Sequence, residues 1–373
     1  MNINKSSNFA TPEKVSFVVV GGKRFHYIWL RDNCLCPECR HSWSFQRLYD
    51  ISEYSSPPEP LSVEQSEEKL TITWKENPPH QSVYPTSWLM DHAYDPEPKS
   101  IFEPDILWDK AWLEGEAPKF YDIHACDRQL WMNQVSTLGF AVLRNIKPEE
   151  LDPLVSEIGP VHEFEWGRFD AIISKPMGSD LAYVGNKVLL PHTDGTHRYD
   201  PRLVGFLYCV VNKTNGGDSI IIDGFRVAED FRQKYPEYFQ ILVENQVQFR
   251  HYEVDTGYFF CRIGSVIEVD DKGNIAGLYV GPKNCYRYLP FDKVESYYEA
   301  YTTFFRYVKN PDYQYRFRLQ AGDCLVYKNF RILHTRTLFD PSSGPRHLKV
   351  GYVGWHYFVG RTNFNRYKHL YVF

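Results

Sequence analysis

Ala321-Gly322-Asp323-Cys324-Leu325-Val326-Tyr327, continuing through 328–333 to His334, decides how this chain is read. Gly322-Asp323 predicts a turn, the apolar run after it a strand, and His334 follows in a loop. The same texture extends from about residue 160 onward: short strands and turns, with amphipathic helices at 227–244 and near 292–309. Many short strands with a few covering helices predict a mainly β fold, a barrel or jelly roll rather than a doubly wound sheet. No internal repeat is visible.

Working towards the N-terminus, residues 127–138 have helical spacing and stop at Gly139; 140–143 is strand-like and 148–158 helical again. Before that the chain changes character. Residues 1–100 read as a small β-rich domain. In it, 17–20 and 25–29 flank Gly21-Gly22 and Lys23 as a hairpin, 70–74 alternates with period two, and 85–88 opens a short helix. Asp95-Pro96-Glu97-Pro98 begins a linker at 101–125, and 126–373 forms the second domain.

Apolar residues make up 43% and charged residues 24%, with a net charge of −5. This is the composition of a globular chain, not one built to neutralise phosphates, so no nucleic-acid partner is expected. No apolar run approaches the ~18 residues of a membrane helix, so no membrane partner is expected either. The first 14 residues lack the Arg-rich pattern of a transit peptide, and a cytoplasmic, reducing location follows. There, Cys34-Leu-Cys36-Pro-Glu-Cys39 reads as a metal cluster rather than as disulfides. Cys126, Cys209, Cys261, Cys285 and Cys324 stand singly and read as small buried hydrophobes.

His192-Thr193-Asp194 is the sharpest short motif. On a strand end, residues i and i+2 project to one face, so one imidazole and one carboxylate can reach the same metal. His334 is the best third ligand, with His347 and His356 as competitors; His251-Tyr252-Glu253 repeats the spacing as a rival pair. Two His and one carboxylate leave half of an octahedral iron open. Gly216-Gly217-Asp218-Ser219 lies downstream, where a tight turn can present a hydroxyl. Arg346, twelve residues after His334, is suited to a bidentate grip on a carboxylate.

These residues resemble the iron(II)/2-oxoglutarate dioxygenases of the taurine dioxygenase superfamily. Trp29-Leu30-Arg31-Asp32-Asn33-Cys34 and Ile222-Asp223-Gly224-Phe225 narrow the resemblance to the γ-butyrobetaine and trimethyllysine hydroxylase branch, over about residues 15–360. The resemblance implies a double-stranded β-helix (jelly-roll) catalytic domain with covering helices. It implies Fe(II) on His192, Asp194 and His334, and 2-oxoglutarate held by Arg346 with help from Ser219. It further implies hydroxylation of an unactivated C–H with O2, releasing succinate and CO2, in a homodimer. Related halogenases replace the metal carboxylate with a small residue, so Asp194 argues for hydroxylation.

Cys34, Cys36 and Cys39 offer three thiolates to a structural Zn(II). The family pattern makes His80 the fourth ligand, over His41 and His92. For substrate binding, the resemblance points to an aromatic cage at Trp166, Tyr183 and Tyr352, which would hold a cation through its ring faces. Asp170 or Phe169 stands where the branch offers another aromatic, and Gly195-Thr196 replaces the aromatic after the iron motif. A carboxylate at Asp170 suits an N–H-bearing cation. The branch's Asn-Asn pair is missing from 278–284, where Lys283, Asn284 or Arg287 could take an anion. The expected substrate is a small amine or betaine-like molecule. Two readings from other classes compete: a zinc-dependent hydrolase using the same three ligands, and a non-catalytic protein binding through its zinc domain. The first leaves Arg346 and Gly217-Asp218-Ser219 without a task, and the intact triad with Arg346 argues against the second.

Overall fold

The computed structural model describes residues 16–100, 102–116, 120–174, 187–254, 256–281 and 285–368. The chain forms two compact units, the first up to Phe102 together with residues from Arg366 on, the second Glu103–Asn365.

In the first unit, strands Phe17–Val20 and Lys23–His26 pair across Gly21 and Gly22, both at positive φ. Such a turn is cheap for glycine. The second strand ends at His26, not at 29 as the β-prone residues suggested. Tyr27–Asp32 is helical, which buries Leu30 in the core; packing overrides strand propensity here. A three-stranded meander follows, Pro60–Gln65, Lys69–Trp74 and His80–Pro85, then a helix at Thr86–Asp91. Leu70, Ile72 and Trp74 alternate into the core against Phe25, Tyr84 and Leu89.

In the second unit, six strands run in the order Phe120–Asp122, Phe140–Arg144, Cys324–Lys328, Leu203–Asn212, Arg346–Gly354, Asp170–Ile173. The first pair is parallel and the rest are antiparallel. A smaller sheet holds Gln314–Phe317, Ser219–Asp223 and Ile332–Arg336. Phe140, Val142, Leu325 and Leu348 of the larger sheet share one buried cluster with Ile221 and Ile332 of the smaller. Their neighbours Ala141, Leu143, Cys324 and Val326 point the other way. They are covered by Trp131 and Val135 of helix Arg128–Leu138, Val155 of Leu151–Ile158, and Phe358 of Trp355–Tyr367. Both faces are buried, which is why these strands read as unbroken apolar runs. Two packed sheets with helices outside form the jelly roll.

Three expectations change. Residues 101–125, read as a linker, carry helix Lys110–Glu116 and strand Phe120–Asp122, and Trp108 is fully buried in the inter-sheet core. The single helix over 227–244 is two, Gly224–Lys234 and Pro236–Glu244, broken at Tyr235 (φ −134°, ψ 64°). Pro236 excludes its predecessor from helical geometry. Of the single cysteines, Cys209 and Cys324 are buried, whereas Cys126, Cys261 and Cys285 are only partly covered.

Asp223, at the end of its strand, is a buried anchor. It caps helix Gly224–Lys234 by accepting from Phe225 N at 3.1 Å. It also accepts from Arg331 Nε at 3.0 Å and Nη2 at 2.8 Å, and both side chains are wholly buried. Arg331 additionally donates to Asp105. This anchor fixes the start of the Ile332–Arg336 strand. No helix among the described residues is long and apolar enough to cross a membrane.

Candidate metal and co-substrate site

Cross-strand partners share a face. Ile221 pairs with His334, and Ser219 with Arg336. Since Ile221 points between the sheets, Ser219 and His334 do too. On the larger sheet, Leu348 points inward, and Val350 and Tyr352 follow it at period two; Asp170, opposite Val350, shares their side. The chemistry-bearing side chains therefore converge in the space between the sheets. His334 lies within a strand rather than in the loop the sequence suggested. Arg331 N donates to Lys328 O at 2.9 Å, a turn tight enough for pairing to resume at Ile332.

His192 meets His334 through an isolated antiparallel bridge, with N···O distances of 3.2 and 3.0 Å. One ligand atom from each of His192, Asp194 and His334 lies within 4.8 Å of the others. His192 Nε2 is 3.5 Å from Asp194 Oδ1, and His334 Nε2 is 3.2 Å from Oδ2. His192 Nδ1 lies 2.9 Å from Leu190 O, which fixes the proton on Nδ1 and turns Nε2 towards the carboxylate. Tyr327 and Tyr352 donate to Asp194 Oδ2 at 2.8 and 2.9 Å. Gly205 makes room for the first of these, because a Cβ there would lie 2.3 Å from the Tyr327 ring. Burial alone would raise the Asp194 carboxyl; His334 and His192 outweigh it and hold the group well below the usual carboxylate range.

Arg346 is 5% exposed, and its Nε and Nη1 find no partner among the described residues. A buried guanidinium left this way implies an anion. Gly217, at φ +77°, opens the space, since a Cβ there would lie 3.3 Å from Arg346 Nε. Ser219, also buried, follows two residues later. Asp218 serves structure instead, accepting from Arg316 and Arg318.

Of the substrate candidates, Trp166 is 40% exposed and packs on Phe164, which meets Tyr352 edge-on. Asp170 lies half-buried on the inner face. Tyr183, Lys283 and Asn284 fall outside the described residues. The rival His251 and Glu253 bond each other at 3.0 Å, and no third metal-binding group joins them among the described residues. His347 sits opposite Val211 and the His356 ring packs at a tilt against Tyr357, both apart from the cluster.

In the first unit, Cys34, Cys36 and Cys39 Sγ lie 3.3, 3.7 and 3.5 Å from His80 Nε2. A tetrahedral zinc with bonds of ~2.3 Å to sulfur and ~2.0–2.1 Å to nitrogen implies an edge of about 3.5 Å, so the set fits that ion. Burial pushes the Cys34 and Cys39 thiols up, and a bound cation would reverse this. Arg31 donates to Cys39 Sγ and Ser82 to Cys34 Sγ. His92 instead stacks on Trp88, outside the cluster. No role was read from the sequence for these supporting residues, nor for Tyr327 in the other unit. Tyr327 had a signal, standing two places from Leu325 on the quoted strand.

Two imidazoles and a carboxylate between jelly-roll sheets, with a buried arginine nearby, define the class of mononuclear non-haem oxygenases. The chain belongs to the taurine catabolism dioxygenase TauD, TfdA family, whose sequence pattern matches residues 110–352. The gamma-butyrobetaine hydroxylase-like N-terminal pattern matches residues 14–90. Gamma-butyrobetaine dioxygenase of Pseudomonas sp. strain AK-1 is 30% identical, over 93% of this chain and 92% of that protein. The human gamma-butyrobetaine dioxygenase is 25% identical, over 91% and 90%. Bovine mitochondrial trimethyllysine dioxygenase is 28% identical, over 85% and 77%. Within the family the chain falls in this branch, and it is an iron(II)- and 2-oxoglutarate-dependent dioxygenase.

Proposed function

We propose that this enzyme hydroxylates an unactivated C–H bond of a small cationic or zwitterionic, betaine-like amine, consuming O2 and 2-oxoglutarate and releasing succinate and CO2. The carrying observation is the convergence of His192, Asp194 and His334 within 4.8 Å, in a fold where Arg346 lies buried with two nitrogens that find no hydrogen-bond partner among the described residues. The donor set fits iron(II) with open positions, and the three residues would hold it. Arg346, helped by Ser219, would hold the distal carboxylate of 2-oxoglutarate. Bound there, iron and 2-oxoglutarate supply the oxygen activation that C–H hydroxylation requires.

The chain's own residues hold and orient. Leu190 O sets the His192 tautomer, and Tyr327 and Tyr352 restrain one Asp194 oxygen. The apolar walls between the sheets exclude water. Trp166, Asp170 and Tyr352 form the substrate side; Tyr183, the fourth candidate, lies outside the described residues. The relatives' names, gamma-butyrobetaine and trimethyllysine dioxygenase, support the amine class. The cysteine cluster with His80 is a closed, structural zinc site of the N-terminal domain. A cytoplasmic homodimer completes the proposal.

Succinate formation in the presence of iron(II), screened over betaines, amino acids and simple amines, tests this reading. Stimulation by at least one amine is expected; turnover indifferent to every amine would contradict it.

A further inference from the structure

We propose that the substrate cation is an ammonium bearing at least one N–H, gripped by Asp170, and that Arg198 occupies the aromatic face a quaternary ammonium would need. This rests on the amine-hydroxylase reading above and narrows its substrate class.

The guanidinium carbon of Arg198 lies 4.0 Å from the centre of the Phe164 ring, 5.5 Å from Trp166 and 5.3 Å from Phe260. These are cation–π distances. Arg198 Nη2 also pairs with Glu165 at 2.7 Å, and both side chains are largely buried. The aromatic group beside the metal site thus already holds a cation of this chain. That cation repels a second one, and Glu165 is already engaged by it.

Asp170 offers the opposite. Its register opposite Val350 puts it on the face of Tyr352, whose hydroxyl bonds Asp194. It is half-buried, and no Arg, Lys or His side chain pairs with it among the described residues. A carboxylate so placed is poorly solvated and gains most from a charge-assisted hydrogen bond. An ammonium with N–H makes that bond. A trimethylammonium has no N–H and keeps its charge behind methyl groups.

The test is a methylation series. 4-Aminobutyrate and lysine, each with none to three methyl groups on the terminal nitrogen, are titrated calorimetrically into the anaerobic iron(II)- and 2-oxoglutarate-loaded enzyme. In at least one series an N–H-bearing member should bind about tenfold or more tighter than the trimethyl member, a loss typical of one charge-assisted hydrogen bond. Asp170→Asn should erase the difference, and Arg198→Gln should improve relative binding of the trimethyl form; thermal unfolding checks that both variants fold. The wild-type series decides even if a variant does not fold. Tightest binding of the trimethyl forms would overturn this proposal and leave the amine reading standing. An N–H preference untouched by Asp170→Asn would overturn the role of Asp170. No binding by any member, with no stimulated succinate release, would reject both readings.

Discussion

The side chain of Asn329 closes on the main chain of Asp194 from both sides: Nδ2 donates to Asp194 O and Oδ1 accepts from Asp194 N–H, each at 2.8 Å. Asn329 is buried at the turn before the Ile332–Arg336 strand, so it ties Asp194 to the segment that leads into His334. Asn329→Ala would leave two main-chain groups of Asp194 unpaired, at about 1–3 kcal/mol for each one that stays buried. Iron affinity should fall about 10–100-fold, the usual cost of losing an outer-shell partner. Anaerobic iron titration with thermal unfolding reads both; unchanged iron affinity would remove Asn329 from the support of the site.

Arg346→Lys keeps the charge but loses the planar fork, so it should raise the KM for 2-oxoglutarate more than it lowers kcat. Gly217→Ala should act the same way from a distance. It forces an L-residue to φ +77° and places a Cβ 3.3 Å from Arg346 Nε, for a stability cost of about 1 kcal/mol or more. Steady-state kinetics against 2-oxoglutarate checks both. A normal KM in Arg346→Lys would mean that another group carries the co-substrate carboxylate.

Cys36→Ser should abolish tight zinc binding in the first unit, with loss of that unit's cooperative unfolding, because a closed metal site contributes folding free energy directly. Metal analysis of wild type should find about one zinc per chain besides iron. Fully folded wild-type protein without zinc would contradict a structural role.

Asp223→Ala breaks a fully buried, bidentate pair with Arg331 and removes a helix cap. An uncompensated buried guanidinium costs about 3–5 kcal/mol. Chemical denaturation should show that loss; a change below about 1 kcal/mol would mean that Asp105, Arg331's other carboxylate partner, suffices.

Much of the site was legible because its chemistry is local in sequence. His192 and Asp194 stand two residues apart, and so do Gly217 and Ser219. The jelly roll was legible through short apolar strands such as 324–327. Asn329, Tyr327 and Arg31 had no role legible in the sequence, because their roles exist only through partners distant in sequence, such as Asp194 for Asn329 and Glu76 for Arg31. The stretch 101–125 read as a linker because Asp95-Pro96-Glu97-Pro98 opens it. Its burial depends on Trp108 finding Phe140 in the inter-sheet core, a pairing no local pattern encodes.

The most direct test of the central claim is release of labelled CO2 from 1-labelled 2-oxoglutarate, with an amine that stimulates turnover, in wild type and in Asp194→Ala. Wild type should require both iron(II) and O2, and the variant should fall to background while remaining folded. Turnover in Asp194→Ala equal to wild type, or wild-type turnover independent of iron, would contradict the account.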